Sequence, residues 1–330
     1  MKARNPRHGS MQFWPRKRAS RMTPRVRSWP ESNNASFLGF PAYKAGMTHV
    51  SYLDSYKNSI TKGREVSIPV TILEAPSVHL LGVQCLKPSG YGEDIAVQLM
   101  FKTDKDIART LTPAKTYATV ADLDKLNPDD YSTINVLVST QPRKTGFAKK
   151  KPDVVALGLG GSNKDKLAFV KEHIGKEIAV SDVFKANDLV DVHGVTKGKG
   201  FQGPVKRFGI ALRSHKSEKA RRNPGSLGSW KGQAHMMYRI AHAGQMGTHL
   251  RTQFNQKIVK ISDNPEEIKI AGGIVRYGLV RTTYILVKGS IQGPKKRLVT
   301  LVKPTRPNKN KAARDESNVT HISLASPQGR

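Results

Sequence analysis

Short runs of β-branched and aliphatic residues, separated by proline and glycine, set the pattern over most of this 330-residue chain. Val66–Leu73, Val78–Leu86 and Ile95–Phe101 are each the length of one strand, with Pro76, Pro88, Gly90 and Gly92 between them. That punctuation predicts a meander or barrel. Pro69, inside the first run, predicts an edge position or a bulge, because proline has no N–H to give to a ladder. Further strands are expected at Asp188–Thr196, Phe254–Ile261, Val280–Lys288 and Arg297–Lys303. Ahead of all of them, Phe37–Val50 mixes apolar residues with turn formers.

The middle of the chain reads differently. Thr112–Leu126 predicts a helix stopped by Asn127-Pro128, and Ile134–Thr140 and Val154–Leu159 predict buried strands. Ser162-x-x-Asp165 is a capping-box start for a helix that puts Leu167, Val170 and Ile174 on one face and closes at Gly175. Alternating strand and helix suggests a small α/β insertion in a mainly β chain. Its acids, among them Asp104, Asp106, Asp122, Asp124, Asp129 and Asp130, suggest a surface turned to solvent. The expected order is a basic arm (1–42), the first part of a β-barrel (43–102), the α/β insertion (103–175) and more barrel (176–209). A long finger (210–252), the last barrel strands (253–303) and a polar tail of surface wrapping or disorder (304–330) complete it.

The finger and its approach break the apolar pattern altogether. His193–Arg251 holds twelve Lys/Arg against one acid, Glu218, with five His and many glycines. Its apolar residues are too sparse to offset the entropy of ordering it, so it needs an anionic partner to give it shape. Residues 1–30 repeat the theme, with nine Lys/Arg, no acid, and Phe13, Trp14 and Trp29 set among prolines. Interleaved cations and aromatics suit a nucleic acid, whose phosphates are neutralised while its bases are stacked upon.

Charge and cysteine content narrow the class. The chain carries 56 Lys/Arg against 25 Asp/Glu, a formal net charge of +31, which predicts salt-sensitive association with polyanions. Its 37% apolar share is nevertheless enough for a real core. The single cysteine, Cys85 in an apolar run, excludes an internal disulfide framework and reads as a buried small hydrophobe. No secretory apolar segment opens the chain and no run of ~18 apolar residues occurs, so a cytoplasmic protein is expected.

The motifs do not build an enzyme. Gly198-Lys-Gly-Phe-Gln-Gly203 matches a dinucleotide fingerprint, but Pro204 and Gly209 leave no long helix and no acid stands where a ribose would need one. The better reading is a pliable backbone letting Lys197, Lys199, Lys206 and Arg207 approach phosphates. His235, His242 and His249 recur every seven residues, yet no acid or thiol lies near them, so RNA hydrogen bonding fits better than a metal. Gly158–Lys164 lacks the ending of a phosphate loop. No catalytic residue, metal or cofactor is expected. An RNA-modifying enzyme or a general nucleic-acid-binding protein are the alternatives; the first should show a catalytic cluster, and the second does not need a patterned core.

Several stretches together resemble one family, the universal ribosomal protein L3 family of the large subunit. They are Pro6–Ser10 with Pro15–Arg18, Tyr43–His49, Val190–Phe201, Gly228-Ser-Trp230, Ala243–Gly247, and Val287-Lys-Gly289 with Gly293. Their order and spread are specific, and the arm, Trp230 and modest length look archaeal in type. The resemblance implies a translation-protein-type β-barrel with a small α/β insertion and long basic RNA-binding extensions. It also implies a structural role in the large subunit, early assembly, and large-subunit rRNA and ribosomal protein L14 as partners. The finger tip, Asn223–Gln233 with Trp230 at its apex, would approach the peptidyl transferase centre. Bacterial relatives carry Gly-Gln-Asn-Gln where this chain has Gly228-Ser-Trp-Lys231, so their glutamine methylation does not transfer.

Candidate rRNA contacts in the arm are Arg7, His8, Trp14, Arg16, Lys17 and Arg18, with Lys44 in the Tyr43–His49 motif. In and around the finger they are Lys197, Lys199, Lys206, Arg207, Arg213, His215, Arg221, Arg222, Trp230, Lys231, His235, Arg239, His242, Gln245 and Arg251.

Overall fold

The computed structural model describes residues 8–102, 104–217, 220–228 and 235–325. It divides into two compact units, one of Met22–Gly194 with Arg251–Arg330 and one of Met1–Arg21 with Val195–Leu250. In chain order the strands are β1 (Gly39–Leu53), β2 (Glu65–Glu74), β3 (Val78–Ser89), β4 (Gly92–Met100), β5 (Thr133–Thr140), β6 (Val154–Gly158), β7 (Glu177–Ile178), β8 (Leu189–Val195), β9 (Phe201–Gln202), β10 (Gly244–Gln245), β11 (Leu250–Ser262), β12 (Tyr284–Lys288), β13 (Leu298–Val302) and β14 (Val319–Ile322). The α-helices are α1 (Val120–Asp124), α2 (Asn163–His173), α3 (Pro204–Phe208) and α4 (Lys309–Ala312). The chain is mainly β, as its pattern predicts.

In the larger unit, six strands follow one another in the order β13-β8-β11-β12-β2-β1, and β1 pairs back onto β13. The result is a barrel-like ring. Strand β1 makes this closure possible because its length lets it serve different partners in turn. Gly39–Tyr43 pairs with β13, Tyr43–Leu53 with β2, and Val50–Tyr52 with β14. Its first eight residues are all buried, so in-out alternation begins only at Met47. Pro41, Gly39 and Gly46 disguise it further. That is why Phe37–Val50 did not read as a strand.

Pro69 sits neither at an edge nor at a bulge. It pairs with His49 of β1, and on its other side the Gly289 N–H donates to its carbonyl at 2.8 Å. Proline has no N–H to return to the Gly289 carbonyl, and the Thr71 hydroxyl donates there instead at 2.7 Å. A side chain two residues along thus replaces the missing backbone donor.

A second sheet has the order β4-β3-β5-β6, with β7 also on β3. Strands β3 and β4 were expected in the barrel; they pair here instead, through Val78–Leu86 against Thr133–Thr140 and Gly82–Ser89 against Gly92–Met100. Strand character is local, whereas the choice of sheet is set by long-range pairing that periodicity does not encode. The helix expected over Thr112–Leu126 shrinks to α1, because Pro113 and the threonines before Val120 disfavour helix. Helix α2 begins where its capping box predicts, with the Ser162 hydroxyl accepting from the Asp165 N–H at 3.3 Å, and Gly175 follows it at φ +76°. The tail is more ordered than its composition suggests. It forms α4 and β14, and Glu316, nearly buried, meets Lys288 at 2.5 Å.

One core cluster spans the ring (Tyr43, Ile72, Leu286, Leu301), the second sheet (Val83, Cys85, Ile134, Leu157) and α2 (Leu167, Val170). Cys85 is buried there, and burial pushes its thiol up to about 11. Four acids are buried among the described residues, Asp54, Glu74, Asp191 and Glu316, and two of them hold loops. Glu74, with no exposure, accepts from the Tyr277 hydroxyl, the Arg281 and Thr282 N–H groups at 2.8 and 3.1 Å, and the Thr282 hydroxyl. Asp191 accepts from the Asn255 N–H at 2.7 Å and from the Thr305 N–H and hydroxyl at 3.0 Å. Each carboxylate satisfies a loop's backbone donors, which makes it a structural group.

Candidate nucleic-acid interface

The smaller unit is built on a short ladder. Phe201 and Gln202 of β9 pair with Gln245 and Gly244 of β10, and Lys199 and Met246 extend the pairing, the Lys199 N–H donating to the Met246 carbonyl at 2.9 Å. Gly247 closes the ladder at φ +75°; a Cβ there would lie 2.1 Å from the Lys197 carbonyl, so only glycine fits. Between the two strands Pro204 opens α3, one helical turn long, and Gly209 ends it at φ +70°.

The N-terminal arm packs on this base. The Ala19 N–H donates to the Thr248 carbonyl at 2.7 Å, and the buried His249 ring holds the Lys17 carbonyl through Nδ1 at 2.9 Å. Phe208 is the apolar centre, with the Arg16 guanidinium 4.1 Å above its ring, Arg207 at 5.2 Å and the Trp14 ring at 6.0 Å. Trp14 also meets Tyr238 edge-on at 6.5 Å. A reciprocal pair of bonds locks the backbones, Arg16 Nη1 to the Arg207 carbonyl at 3.0 Å and Arg207 Nη2 to the Arg16 carbonyl at 3.3 Å. Arg207 further donates to the carbonyls of Gln245 (3.0 Å), His242 (2.9 Å) and Ala243 (3.3 Å). Burial, then the nearby Arg16 charge, lowers its pKa.

Beyond the base the ladder stops. Arg213 reaches across a turn, its N–H to the Arg221 carbonyl at 3.0 Å and its Nη2 to the Pro224 carbonyl at 2.8 Å. The side chains of His215, Arg221, Arg222, His235 and Arg239 are exposed, as are His8, Lys17, Arg18, Lys197, Lys199 and Lys206 nearer the base. A cavity of about 400 Å³ lined by Ile210, Leu212, Pro224 and Ile240, with Arg213 and Asn223 at its wall, offers apolar surface beside hydrogen-bonding groups.

Residues 1–21 and 195–250 contain eighteen Lys/Arg and one acid, Glu218. Under a quarter of the chain thus carries more than half of its net charge. What binds the described part of this unit together is carbonyls and rings rather than carboxylates, and neither cancels a cation. The positive field therefore stays available to a polyanion.

The expected contacts do not all serve alike. Arg16 and Arg207 are half-buried and engaged with backbone carbonyls and Phe208, so they organise the site. The Gln245 amide turns inward to the Met246 and Gly247 carbonyls at 3.2 and 3.0 Å, and the half-buried His242 lends its carbonyl to Arg207. Lys44 lies in the larger unit, buried, with its ammonium on the Ile291 and Gly293 carbonyls, and burial and then Lys295 lower its pKa. Arg251 is half-buried in that unit, its carbonyl accepting from Gln292 at 3.0 Å. Arg7, Trp230 and Lys231 lie outside the described residues. Phe208, Tyr238 and the structural use of His249 were missed; an isolated aromatic in a basic segment was the available signal for the first two.

Among the described residues no group of three or more His, Cys, Asp or Glu could hold a metal ion, and no helix is long and apolar enough to cross a membrane. The family profile described as Ribosomal protein L3 matches residues 1–329. The large ribosomal subunit protein uL3 of Archaeoglobus fulgidus is 42% identical over 334 residues, covering 100% of both chains. Those of Methanobrevibacter smithii and Methanothermobacter thermautotrophicus are 43% and 44% identical, each covering 98% of both chains.

Proposed function

The chain belongs to the ribosomal protein L3 family, archaeal in type, and on that premise we propose how it works as a structural constituent of the large ribosomal subunit, where it is not an enzyme. The arm and the base of the finger act as one preformed cationic block that docks on large-subunit rRNA. The tip, which includes Trp230, is shaped by the RNA it enters and extends toward the peptidyl transferase centre. The six-stranded ring is a translation-protein-type barrel, the second sheet with α2 is its α/β insertion, and ribosomal protein L14 is a neighbour. Early binding during subunit assembly follows from a block that is formed before RNA arrives.

One observation carries this reading: the smaller unit is held by carbonyls and rings while nearly all its ionic side chains are cations. Binding driven by phosphate neutralisation falls with salt by about 0.7–0.9 in log–log slope per contact. Replacing Lys197 and Lys199 with Gln should therefore lower the slope for an rRNA fragment by roughly 1.4–1.8. An unchanged slope would place these side chains away from RNA. For the tip, Trp230→Ala removes stacking worth about 1–3 kcal/mol, too little to prevent incorporation through many phosphate contacts. Incorporation should stay near normal while sensitivity to drugs of the peptidyl transferase centre changes. Wild-type drug sensitivity in the mutant subunits would refute the placement of the tip.

A further inference from the structure

The second sheet ends in an open strand. The outer side of β6 is covered by its own chain, since Phe37 bridges Leu159 and the Leu38 N–H donates to the Gly158 carbonyl at 3.1 Å. Among the described residues strand β4, at the other end, pairs only with β3. Its outer side receives one backbone bond among the described residues, from the Ala118 N–H to the Met100 carbonyl at 2.8 Å. The Phe101 N–H donates to the Leu81 carbonyl at 2.8 Å, which fixes the ladder's phase. Alternation along an antiparallel strand then turns the backbone groups of Gln98, like those of Met100, outward.

An unpaired edge is a template for another chain, and solvent-facing edges are commonly blunted with lysine or proline. Strand β4 reads Gly-Glu-Asp-Ile-Ala-Val-Gln-Leu-Met, with neither lysine, arginine nor proline, in a chain where 56 of 330 residues are Lys or Arg. Its protective features are the irregularity opposite Cys85 and Leu86 and the acids Glu93 and Asp94, which disfavour a neutral or acidic strand but not a cationic one. Tyr91 at the hairpin turn is fully exposed and Ile95 is 53% exposed, so the edge also offers apolar surface.

Charge selects the occupant. Residues 90–130 hold eight acids and five Lys/Arg, a local reversal in a chain of net charge +31. RNA is repelled from such a surface and a cationic polypeptide is attracted. The Glu93 carboxylate is already engaged by the Ser132 and Thr133 hydroxyls at 2.9 and 3.1 Å, whereas Asp94 is exposed beside it. We propose that the β4 edge receives an extended, lysine- and arginine-rich segment of another protein, which adds as a strand along Gly92–Leu99. Backbone bonds supply the affinity, Tyr91 and Ile95 the apolar contact, and Asp94 the charge preference.

The test uses the full-length chain in large ribosomal subunits, with p-benzoylphenylalanine in place of Tyr91, followed by irradiation and peptide mapping. The expected product joins position 91 to a Lys/Arg-rich stretch of another protein, and it is lost when Asp94→Lys or Gln98→Pro is added. A crosslink to rRNA, to this same chain or to an acidic segment overturns the proposal, as does a yield no higher than with the probe at the exposed Ile60. A second measurement does not depend on assembly. Hydrogen exchange at Gln98 of the purified chain should slow with a short peptide alternating Lys and Val, and not with its Glu counterpart. Equal protection by both peptides, or by neither, overturns it equally.

Discussion

Arg207 separates a clasp from a phosphate contact, and the two assignments predict opposite results. Its guanidinium donates to four carbonyls, two at 2.9–3.0 Å and two at 3.3 Å, and so joins the arm to β10 and the segment before it. Hydrogen bonds to a charged group contribute about 1.5–3 kcal/mol each when well formed. The group is half-buried, so the two short bonds are taken at the low end and the long ones neglected, which gives roughly 3 kcal/mol for Arg207→Ala. That corresponds to about a hundredfold in a local opening constant. Amide exchange at Lys199 and Met246, which close the ladder, should accelerate by that factor, while ring amides in β2 and β12 do not change. Arg207→Lys keeps the charge but loses the fork that reaches several carbonyls, so it should still accelerate exchange roughly tenfold. It should leave the salt slope of RNA binding intact. Wild-type exchange in Arg207→Lys, with Arg207→Ala only lowering the slope by about 0.9, would refute the clasp, because that is the signature of a lost phosphate contact.

Three further outcomes are expected. In the free protein, exchange should be slow in residues 196–202 and 244–249 and fast across 210–243, whose described residues make few backbone bonds; uniform protection of that stretch would contradict an RNA-shaped tip. Glu74→Leu should lower the thermal midpoint by the equivalent of about 2–4 kcal/mol, since it leaves the Tyr277 hydroxyl and the Arg281 and Thr282 N–H groups without the acceptor they share. An unchanged midpoint would show that the loop Arg281–Thr282 is held by other means. Hydrogen bonds from Lys144 and Ser77 lower the Glu177 carboxyl to about 2. A depressed acid stabilises the fold above its unfolded value, about 4.3, and that contribution fades as pH falls toward 2. Denaturation midpoints between pH 5 and 2 should therefore fall less steeply in Glu177→Gln than in wild type.

Local chemistry in the sequence foretold what local chemistry decides. The Ser162 capping box placed the start of α2, and the β-branched runs placed most of the strands. What stayed hidden depends on contacts far along the chain. Over Gly39–Gly46 strand β1 is buried on both faces and carries Pro41 and two glycines, so neither alternation nor propensity marks that half. Val319–Ile322 is only four residues in a polar tail, and it becomes a strand because β1 extends far enough to pair with it. The assignment of β3 and β4 to the second sheet has the same origin. In the candidate interface, formal charge marks a basic block but cannot sort its members. Lys44, Arg16 and Arg207 carry the same charge as Lys197 and Lys199. Only the structure brings carbonyls to the first three, and the Phe208 ring to the two arginines.

The sorting has a physical consequence for how a protein of net charge +31 holds together at all. The larger unit uses acids internally; Glu74 and Asp191 are buried and surrounded by backbone donors, so their charge stabilises loops rather than opposing cations. The smaller unit reverses the scheme, with cations facing backbone acceptors and an aromatic ring. A carboxylate in place of those acceptors would bind Arg207 at least as firmly, because charge-assisted pairs are the stronger hydrogen bonds. It would also cancel one unit of positive charge beside the exposed lysines. Carbonyls hold the guanidinium at a distance of about 3 Å and leave its charge in place. The arm and the finger base can thus be ordered before RNA arrives and still present their cations to it, which lowers the entropy lost when the complex forms.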